Sequence, residues 1–381
     1  MLEELRAKID ATDAALLKTL SERRALVKRV IEAKVRDGLS VRHPEREAAL
    51  LSRLVERGRA LELDAPFVMR VFRAVIADSV RLQRAELERL SNDEHGEATW
   101  LRIAHLGTQG SFSHFAARTY ADSRSRQMMS VSCASFEEVL RAVEKGDADV
   151  GALPVENSTS GSINEAYDAL INTRLSVVGE RRVPVVHCLV ARSGVTVDAI
   201  ERLFAHPQPL AQCSRFVGGQ TWSVEVAPDT TSAAHNALHA EVPAAAIASL
   251  ETADRLKLDV LRDDIANDAA NATRFLFVAR KPRVADARIP CKTSLVMSTG
   301  QKPGALVDAL LAFRDAGVGL VKLESRPVPG NAWEELFYID VAGHSDDERL
   351  RSAIEAARSR ARSLRVLGCY PSDDEVVAGV A

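Results

Sequence analysis

Asp149-Val150-Gly151-Ala152-Leu153-Pro154 runs directly into Val155-Glu156-Asn157-Ser158-Thr159-Ser160-Gly161-Ser162. The first part is apolar without alternation, the pattern of a strand covered on both faces. The second part is dense in hydroxyls and amides. Open α/β sheets place ligand-binding groups just beyond the carboxyl ends of their strands, so this junction is a candidate binding loop. Local capping of backbone groups by Ser and Asn accounts for the same residues equally well.

Outward from this junction the same alternation continues. Leu101 to Leu106 is a short strand entering Gly107-Thr108-Gln109-Gly110-Ser111-Phe112-Ser113, and an Ala-rich helix follows. A strand, a glycine turn and a helix N-terminus make a potential anion cradle, or a plain tight turn. The Gly-Lys-Ser/Thr ending of a nucleotide loop is absent. Phe136 starts a further helix, and Val183 to Val190, Ala244 to Ala248 and Phe275 to Ala279 read as strands. Strands alternating with helices predict two α/β lobes joined by crossings near residues 180 and 265, with the cleft between them as the default site.

The segments on either side differ in kind. Leu2, Leu5, Ile9, Leu16, Leu20, Val27 and Val30 recur at helical spacing, predicting one amphipathic helix to about Val35. Pro44 opens a second helix ended by Gly58, and Asp64 with Pro66 opens a third to about Leu90. So long a helix beside two shorter ones makes a poor monomer, and its apolar seam calls for a partner. Arg23 and Lys34 share a face of the first helix, whereas Arg6 lies about 25 Å from Arg23 along the axis at ~1.5 Å per residue. One small ligand cannot reach both Arg6 and Lys34 of one straight helix. If they serve one site, Arg6 comes from a second chain. On pattern alone, the plainer reading of these cations is solvated helix faces. Beyond residue 290, Thr293 to Met297, Val318 to Leu323, Leu336 to Val341 and Arg365 to Cys369 read as strands around two helices, a βαββαβ unit. Ser91 to Thr99 and Lys281 to Pro290 read as polar linkers.

Composition narrows the class. The 381 residues suggest two to three domains, and 46% hydrophobic with 27% charged residues suits a soluble chain. No apolar run reaches the ~18–20 residues of a membrane span. The five cysteines are scattered and lack Cys-x-x-Cys spacing, which fits reduced thiols in a cytoplasm and suggests no metal site. Residues 1–90 carry 19 Lys and Arg against 15 Asp and Glu. That surplus is too mild for nucleic acid and suits small anions.

The chain resembles, over nearly its whole length, the bifunctional chorismate mutase–prephenate dehydratases that end in an ACT domain. In the helical block the resemblance rests on Leu5-Arg6-x-x-Ile9-Asp10, Glu22-Arg23-Arg24, Lys34, Pro44-Glu45-Arg46-Glu47 and Asp78-Ser79-x-x-x-Gln83. In the middle it rests on Gly107-x-x-Gly110-Ser111, Pro154 to Asn164, His187-Cys188-Leu189, His206-Pro207-Gln208, Thr231-Ser232 and Asn271-x-Thr273-Arg274-Phe275. At the end it rests on Gly304-Ala305-Leu306 and Glu324-Ser325-Arg326-Pro327, with Trp333 to Asp340.

What the resemblance implies is an all-α chorismate mutase domain over 1–92, a bilobal α/β dehydratase domain similar to periplasmic binding proteins over 101–281, and an α+β ferredoxin-like ACT domain over 291–375. Chorismate would lie in an intertwined dimer. Arg23, Arg46 and Arg6 of the second chain would hold its carboxylates, Lys34 and Gln83 its ether oxygen, and Glu47 its ring hydroxyl, with His43 and Ser79 as further contacts. His43 stands where some relatives have aspartate. This pericyclic rearrangement needs no cofactor or metal. In the dehydratase, Thr273 would serve as donor to the leaving hydroxyl, with Asn157 and Gln212 orienting. Ser111, Ser160, Gly161, Ser232 and Phe275 would bind prephenate, and Arg274 would either pair with a substrate carboxylate or serve equally well as a structural arginine fixing the loop. Phenylalanine would bind at Gly304, Ala305, Leu306, Glu324, Ser325 and Arg326 as feedback inhibitor. The partners implied are these small molecules and further copies of the chain, with neither nucleic acid nor membrane.

Overall fold

The apolar spacing of the first 35 residues becomes a single 36-residue helix, Leu2–Asp37, in the computed structural model of the chain. The structure describes residues 1–41, 43–92, 99–268, 270–300, 302–328 and 331–373, with backbone alone at 44 and 331–333. Gly38, at φ +66°, ends the helix in the left-handed region and returns its N–H to the Lys34 carbonyl. Helices Pro44–Arg59 and Ala65–Ser91 follow, the last capped by the Asp64 carboxylate accepting from the Phe67 N–H. Val27, Ile31, Val68 and Leu87 are buried, whereas Leu2, Leu5, Ile9, Leu16 and Leu26 are exposed. The cause is length. A 36-residue helix spans about 54 Å, more than its two companions can cover.

The chain divides into two compact units, the first of which contains residues 1–97, 123–125 and 284–291. The stretch expected as a linker over 281–290 is therefore in part a structural strap. Ile289 is buried with Val41 and Leu87, the Val41 N–H donates to the Arg288 carbonyl, and Asn92 Nδ2 donates to the Val284 carbonyl. Arg124, also within this unit, pairs with Glu88 at 2.8 Å. Of the other expected linker, residues 93–98 lie outside the described residues.

In the second unit, one sheet has the strand order Gln127–Cys133, Trp100–Leu106, Val150–Asn157, Ala272–Ala279, Ser176–Pro184. A second sheet has the order Asp259–Arg262, Cys188–Ala191, Ala244–Ala248, Arg202–Ala205, Ser223–Val226. The single strand expected over Val183–Val190 is two strands in different sheets, because the chain leaves the first at Pro184 and enters the second at Cys188. It returns between Arg262 and Ala272. Two lobes with two crossings result, as alternation predicted. The two crossing segments meet where the Val185 N–H donates to the Asn271 carbonyl.

The remaining strands form a four-stranded sheet in the order Leu320–Val328, Asn331–Ala342, Cys291–Ser298, Ser363–Pro371. One face carries helices Ala305–Asp315 and Glu348–Arg360 through Phe313, Leu350 and Ile354. The other face adds Val296, Tyr338, Leu367 and Tyr370 to the core of the first lobe, with Leu153, Tyr167 and Leu276. Gly368 allows this approach, since a Cβ there would lie 2.0 Å from the Val177 carbonyl oxygen. No helix among the described residues is long and apolar enough to cross a membrane.

His105 is fully buried in the first lobe, its Nε2 2.7 Å from Ser130 Oγ. Burial pushes its pKa from 6.5 down to about 4, the Leu106 carbonyl opposing and His114 adding to the shift. The unfolded chain therefore takes up this proton first as pH falls. Stability is expected to drop between about pH 6.5 and 4, by at most about 3 kcal/mol from this group. Urea unfolding across this range should show a shallower acid loss for His105→Gln than for the parent chain.

Candidate active sites

In the helical unit, Arg23 Nη1 of the first helix donates to Ser79 Oγ and to the Val75 carbonyl of the third. Lys34 donates to the Val41 carbonyl at 2.5 Å. Burial draws its pKa below the ordinary lysine value, Arg46 adding to the shift and Glu47 opposing it, so these three charges act on one another. Gln83 is buried, with Nε2 3.3 Å from the Ser79 carbonyl, and among the described residues its Oε1 has no hydrogen-bond partner. His43 and Arg46 are exposed, and Glu47 is half-buried. Arg6 is exposed near the opposite end of the long helix, about 42 Å from Lys34 at ~1.5 Å per residue. Within one chain, Arg23, Ser79 and Gln83 are linked across the first and third helices, Lys34 lies within electrostatic reach of Arg46 and Glu47 of the second, and Arg6 stands apart.

In the two-lobed part, the strands Val150–Asn157 and Ala272–Ala279 pair antiparallel, with Thr273 opposite Asn157 and Arg274 opposite Glu156. The register then slips, so that Phe275 faces Pro154 and Val155 is the extra residue. This bulge decides what each side chain can do. Val155 packs with Leu153 in the core shared with the C-terminal sheet, and Glu156 also turns that way to meet Lys322 at 2.9 Å. Asn157 is thereby re-aimed to the cleft. Uninterrupted alternation would have kept it beside Leu153.

Asn157, 4% exposed, is the centre of a neutral network. Its Nδ2 donates to Asn271 Oδ1 at 2.8 Å and Thr273 Oγ1 at 3.0 Å. Its Oδ1 accepts from the backbone N–H groups of Thr159 and Ser160 at 3.1 and 3.0 Å, and from their hydroxyls. From the second lobe, Gln212 Nε2 donates to Thr159 Oγ1 at 2.9 Å, and Gln208 Nε2 donates to Ser160 Oγ at 3.1 Å. A cleft of about 310 Å³ opens here, lined by Thr159, Ser160, Gln208, Gln212, Asn267 and Asn271 among others. Gly161, at φ +81°, closes the loop back onto Asn157.

His187 is a member of this network to which sequence reading gave no role. It is 1% exposed, its Nε2 lies 2.7 Å from Gln212 Oε1, and burial lowers its pKa. A neutral ring donating to that oxygen turns the Gln212 amide so that its N–H groups face Thr159. No local pattern announces this contact, which joins positions 25 residues apart.

Several expected contacts fall elsewhere. Arg274 does not face the cleft. Strand alternation turns it to the opposite face, where its Nε meets Glu180 at 2.8 Å, its Nη1 meets Asp340 at 2.6 Å and its Nη2 donates to Tyr370 Oη at 3.1 Å. Burial works against its charge, but Tyr370, Asp340 and Glu180 outweigh it and hold the guanidinium well above its ordinary pKa. Phe275 is 1% exposed in the core with Phe277 and Tyr120, so it cannot contact a ligand. The Ser111 hydroxyl donates to the Leu106 carbonyl and caps the His114 N–H, which makes it part of the glycine turn. The Ser232 hydroxyl donates to Asp229 Oδ2 at 2.9 Å at its helix start. On the strand Leu320–Val328, Glu324 accepts from Ser162 and Arg326 pairs with Asp168 at 2.8 Å, both toward the first lobe. Ser325, on the alternate face, is exposed, as is Gly304 at φ +83° before Ala305 and Leu306.

Residues 5–84 match the type II chorismate mutase family, and residues 103–283 match the prephenate dehydratase family. A bifunctional chorismate mutase/prephenate dehydratase from Enterobacter agglomerans is 43% identical over 376 residues, covering 98% of this chain and 97% of its own. The chain belongs to the bifunctional chorismate mutase/prephenate dehydratase family. The protein of that name from Escherichia coli K12 is 40% identical over 374 residues, with 98% and 96% covered. Among solved structures, prephenate dehydratase from Arthrobacter aurescens in complex with L-Phe is similar at TM-score 0.65 and 30% identity, over 72% of this chain and 91% of that one. Within this bifunctional chorismate mutase/prephenate dehydratase, the cations of the helical unit fall in the part that matches the mutase family, and the neutral Asn157–Thr273 network falls in the part that matches the dehydratase family.

Proposed function

We propose that Arg23, Lys34, Arg46, Glu47, Ser79 and Gln83, with His43 at the rim, bind chorismate and rearrange it to prephenate, and that the Asn157–Thr273 network converts prephenate to phenylpyruvate. The cross-strand pairing of Thr273 with Asn157 carries the second half. Thr273 Oγ1 accepts from Asn157 Nδ2, which leaves its own proton to donate. Aimed at the ring hydroxyl of prephenate, that donor stabilises the departing oxygen while the ring C–carboxylate bond breaks. The electron pair of that bond enters the ring and the ring C–O bond breaks, so that carbon dioxide and hydroxide leave; a solvent proton converts the hydroxide to water, and aromatisation drives the step. Gln212 and Ser160 line the cleft as orienting groups.

In the first half, no proton transfer is required. Forked cations select the folded conformer of the dianion, and Lys34 with Gln83 stabilises charge on the breaking ether oxygen. Arg6 of a second copy completes the site. The exposed seam of Leu2, Leu5, Ile9 and Leu16 is the face on which that copy packs, so the working assembly is a homodimer or a multiple of it. The domains extend over 1–92, 101–281 and 291–375, in a cytoplasmic enzyme. The last domain is a ferredoxin-like ACT module that binds phenylalanine near Gly304, Ala305, Leu306 and Ser325 and lowers dehydratase turnover.

The test is a spectrophotometric assay with chorismate, then with prephenate, each with and without phenylalanine. Phenylpyruvate from both substrates, suppressed by phenylalanine, is the expected result. No product from prephenate sinks the reading. Lys34→Ala is expected to lower chorismate turnover about 10²–10³-fold and to leave turnover of added prephenate unchanged. Equal losses in both assays would remove Lys34 from the mutase site.

A further inference from the structure

We propose that Asn271 is the amide that hydrogen-bonds prephenate in the dehydratase cleft, and that Asn157 is a positioning residue that fixes Asn271 and Thr273. This deepens the dehydratase assignment and rests on it.

A carboxamide offers two N–H donors and one oxygen acceptor. In Asn157 all of these are used. The backbone N–H groups of Thr159 and Ser160 cannot turn, so they fix which atom of Asn157 is the oxygen. Its Nδ2 must then face Asn271 and Thr273, with the Ala272 carbonyl also within 3.3 Å. No hydrogen-bonding capacity of Asn157 remains for a ligand. The same logic fixes Asn271. The atom that accepts from Asn157 Nδ2 is its oxygen, which also accepts from Thr159 Oγ1 at 3.3 Å. Its Nδ2 is left as a buried donor without a partner among the described residues. Asn271 is 3% exposed and lines the 310 Å³ cleft. A native fold rarely strands a buried donor, and one stranded at a ligand cleft is explained by an acceptor that arrives with the ligand.

The position suits that role. The Asn271 carbonyl binds the Val185 N–H, so the residue is held by both crossings between the lobes. Thr273 lies two residues on and shares the same Asn157 Nδ2 group. A substrate oxygen on Asn271 Nδ2 is therefore placed beside the Thr273 donor. The ligand group is an acceptor oxygen of prephenate, either a carboxylate or the ring hydroxyl.

Asn271→Asp tests this. It keeps the oxygen that accepts from Asn157 and removes only the donor. We expect kcat/KM for prephenate to fall at least 100-fold, with the near-ultraviolet circular dichroism and the mutase rate of the same chain unchanged. The ratio of variant to parent should rise about tenfold per pH unit as pH is lowered toward the pKa of the new carboxyl, because its protonated form restores a donor. A merely structural Asn271 gives no such recovery. A loss confined to KM assigns the oxygen to a bound carboxylate, and a loss confined to kcat assigns it to the leaving hydroxyl. Asn271→Ala should lose activity without recovery in acid, which covers the case in which the aspartate variant misfolds. An Asn271→Asp enzyme within threefold of the parent overturns the inference, while an inactive Thr273→Ala in parallel keeps the parent reading intact.

Discussion

Thr273→Ala is expected to lower prephenate turnover about 10²–10⁴-fold, the range for a lost proton or hydrogen-bond donor at a reacting oxygen. The side chain is 9% exposed and held at 3.0 Å by Asn157 Nδ2, so removing its hydroxyl deletes the donor without opening a large cavity. Binding of prephenate should weaken far less than turnover, and the mutase rate of the same polypeptide should not change. Thr273→Ser keeps the hydroxyl but loses the methyl that holds its rotamer, so it should recover most of the loss. Asn157→Ala should act through the same group, making the double variant little worse than either single one. Additive losses would mean that Asn157 and Thr273 work independently, contrary to the network.

Arg274→Met is expected to destabilise the chain by about 3–5 kcal/mol, because breaking a buried pair leaves its carboxylates uncompensated. Glu180 keeps Lys292 at 3.0 Å, but Asp340 loses its 2.6 Å cationic partner and retains the Ser294 hydroxyl. Urea unfolding monitored at neutral pH measures this loss. The position also predicts a regulatory effect. Arg274 and Glu156 form the cross-strand pair next to Thr273 and Asn157, and both reach the C-terminal sheet, through Asp340 and Lys322. A shift of that sheet would therefore pull on the two strands that hold Thr273 and Asn157. Lys322→Met, at a half-buried pair worth less, should leave basal turnover near the parent value and weaken inhibition by phenylalanine. Unchanged inhibition would show that the coupling runs elsewhere.

Much of this was legible in the residues. The helical period placed the three N-terminal helices within a few residues, because a 3.6-residue apolar repeat has no other stable reading. The apolar run before Asn157 announced a covered strand, and the hydroxyl-rich run after it announced the loop that now lines the cleft. Arg274 falls outside the cleft because neighbours in a strand face opposite ways. Phe275, two residues from Thr273, shares its side by alternation but is 1% exposed, enclosed in a core with Tyr120 and Phe277. Lys281 to Pro290 reads as a linker because it is polar and flanked by proline. Ile289 makes part of it a strap, by fitting a gap among helices more than 190 residues earlier, beside Val41 and Leu87.

The sequence by itself determined a helical block, an alternating α/β middle and a βαββαβ end, in that order, since periodicity and turn chemistry are local properties. Tertiary structure alone decided which of those residues meet. The bulge at Val155 turns Asn157 to the cleft. Gln212 Oε1 meets His187, and among the described residues Asn271 Nδ2 has no hydrogen-bond partner. The C-terminal sheet claims Arg274, and the first lobe claims Glu324 and Arg326. A hydrogen bond lives or fails within a few tenths of an ångström, and no pattern along a chain fixes distances between segments that only packing brings together.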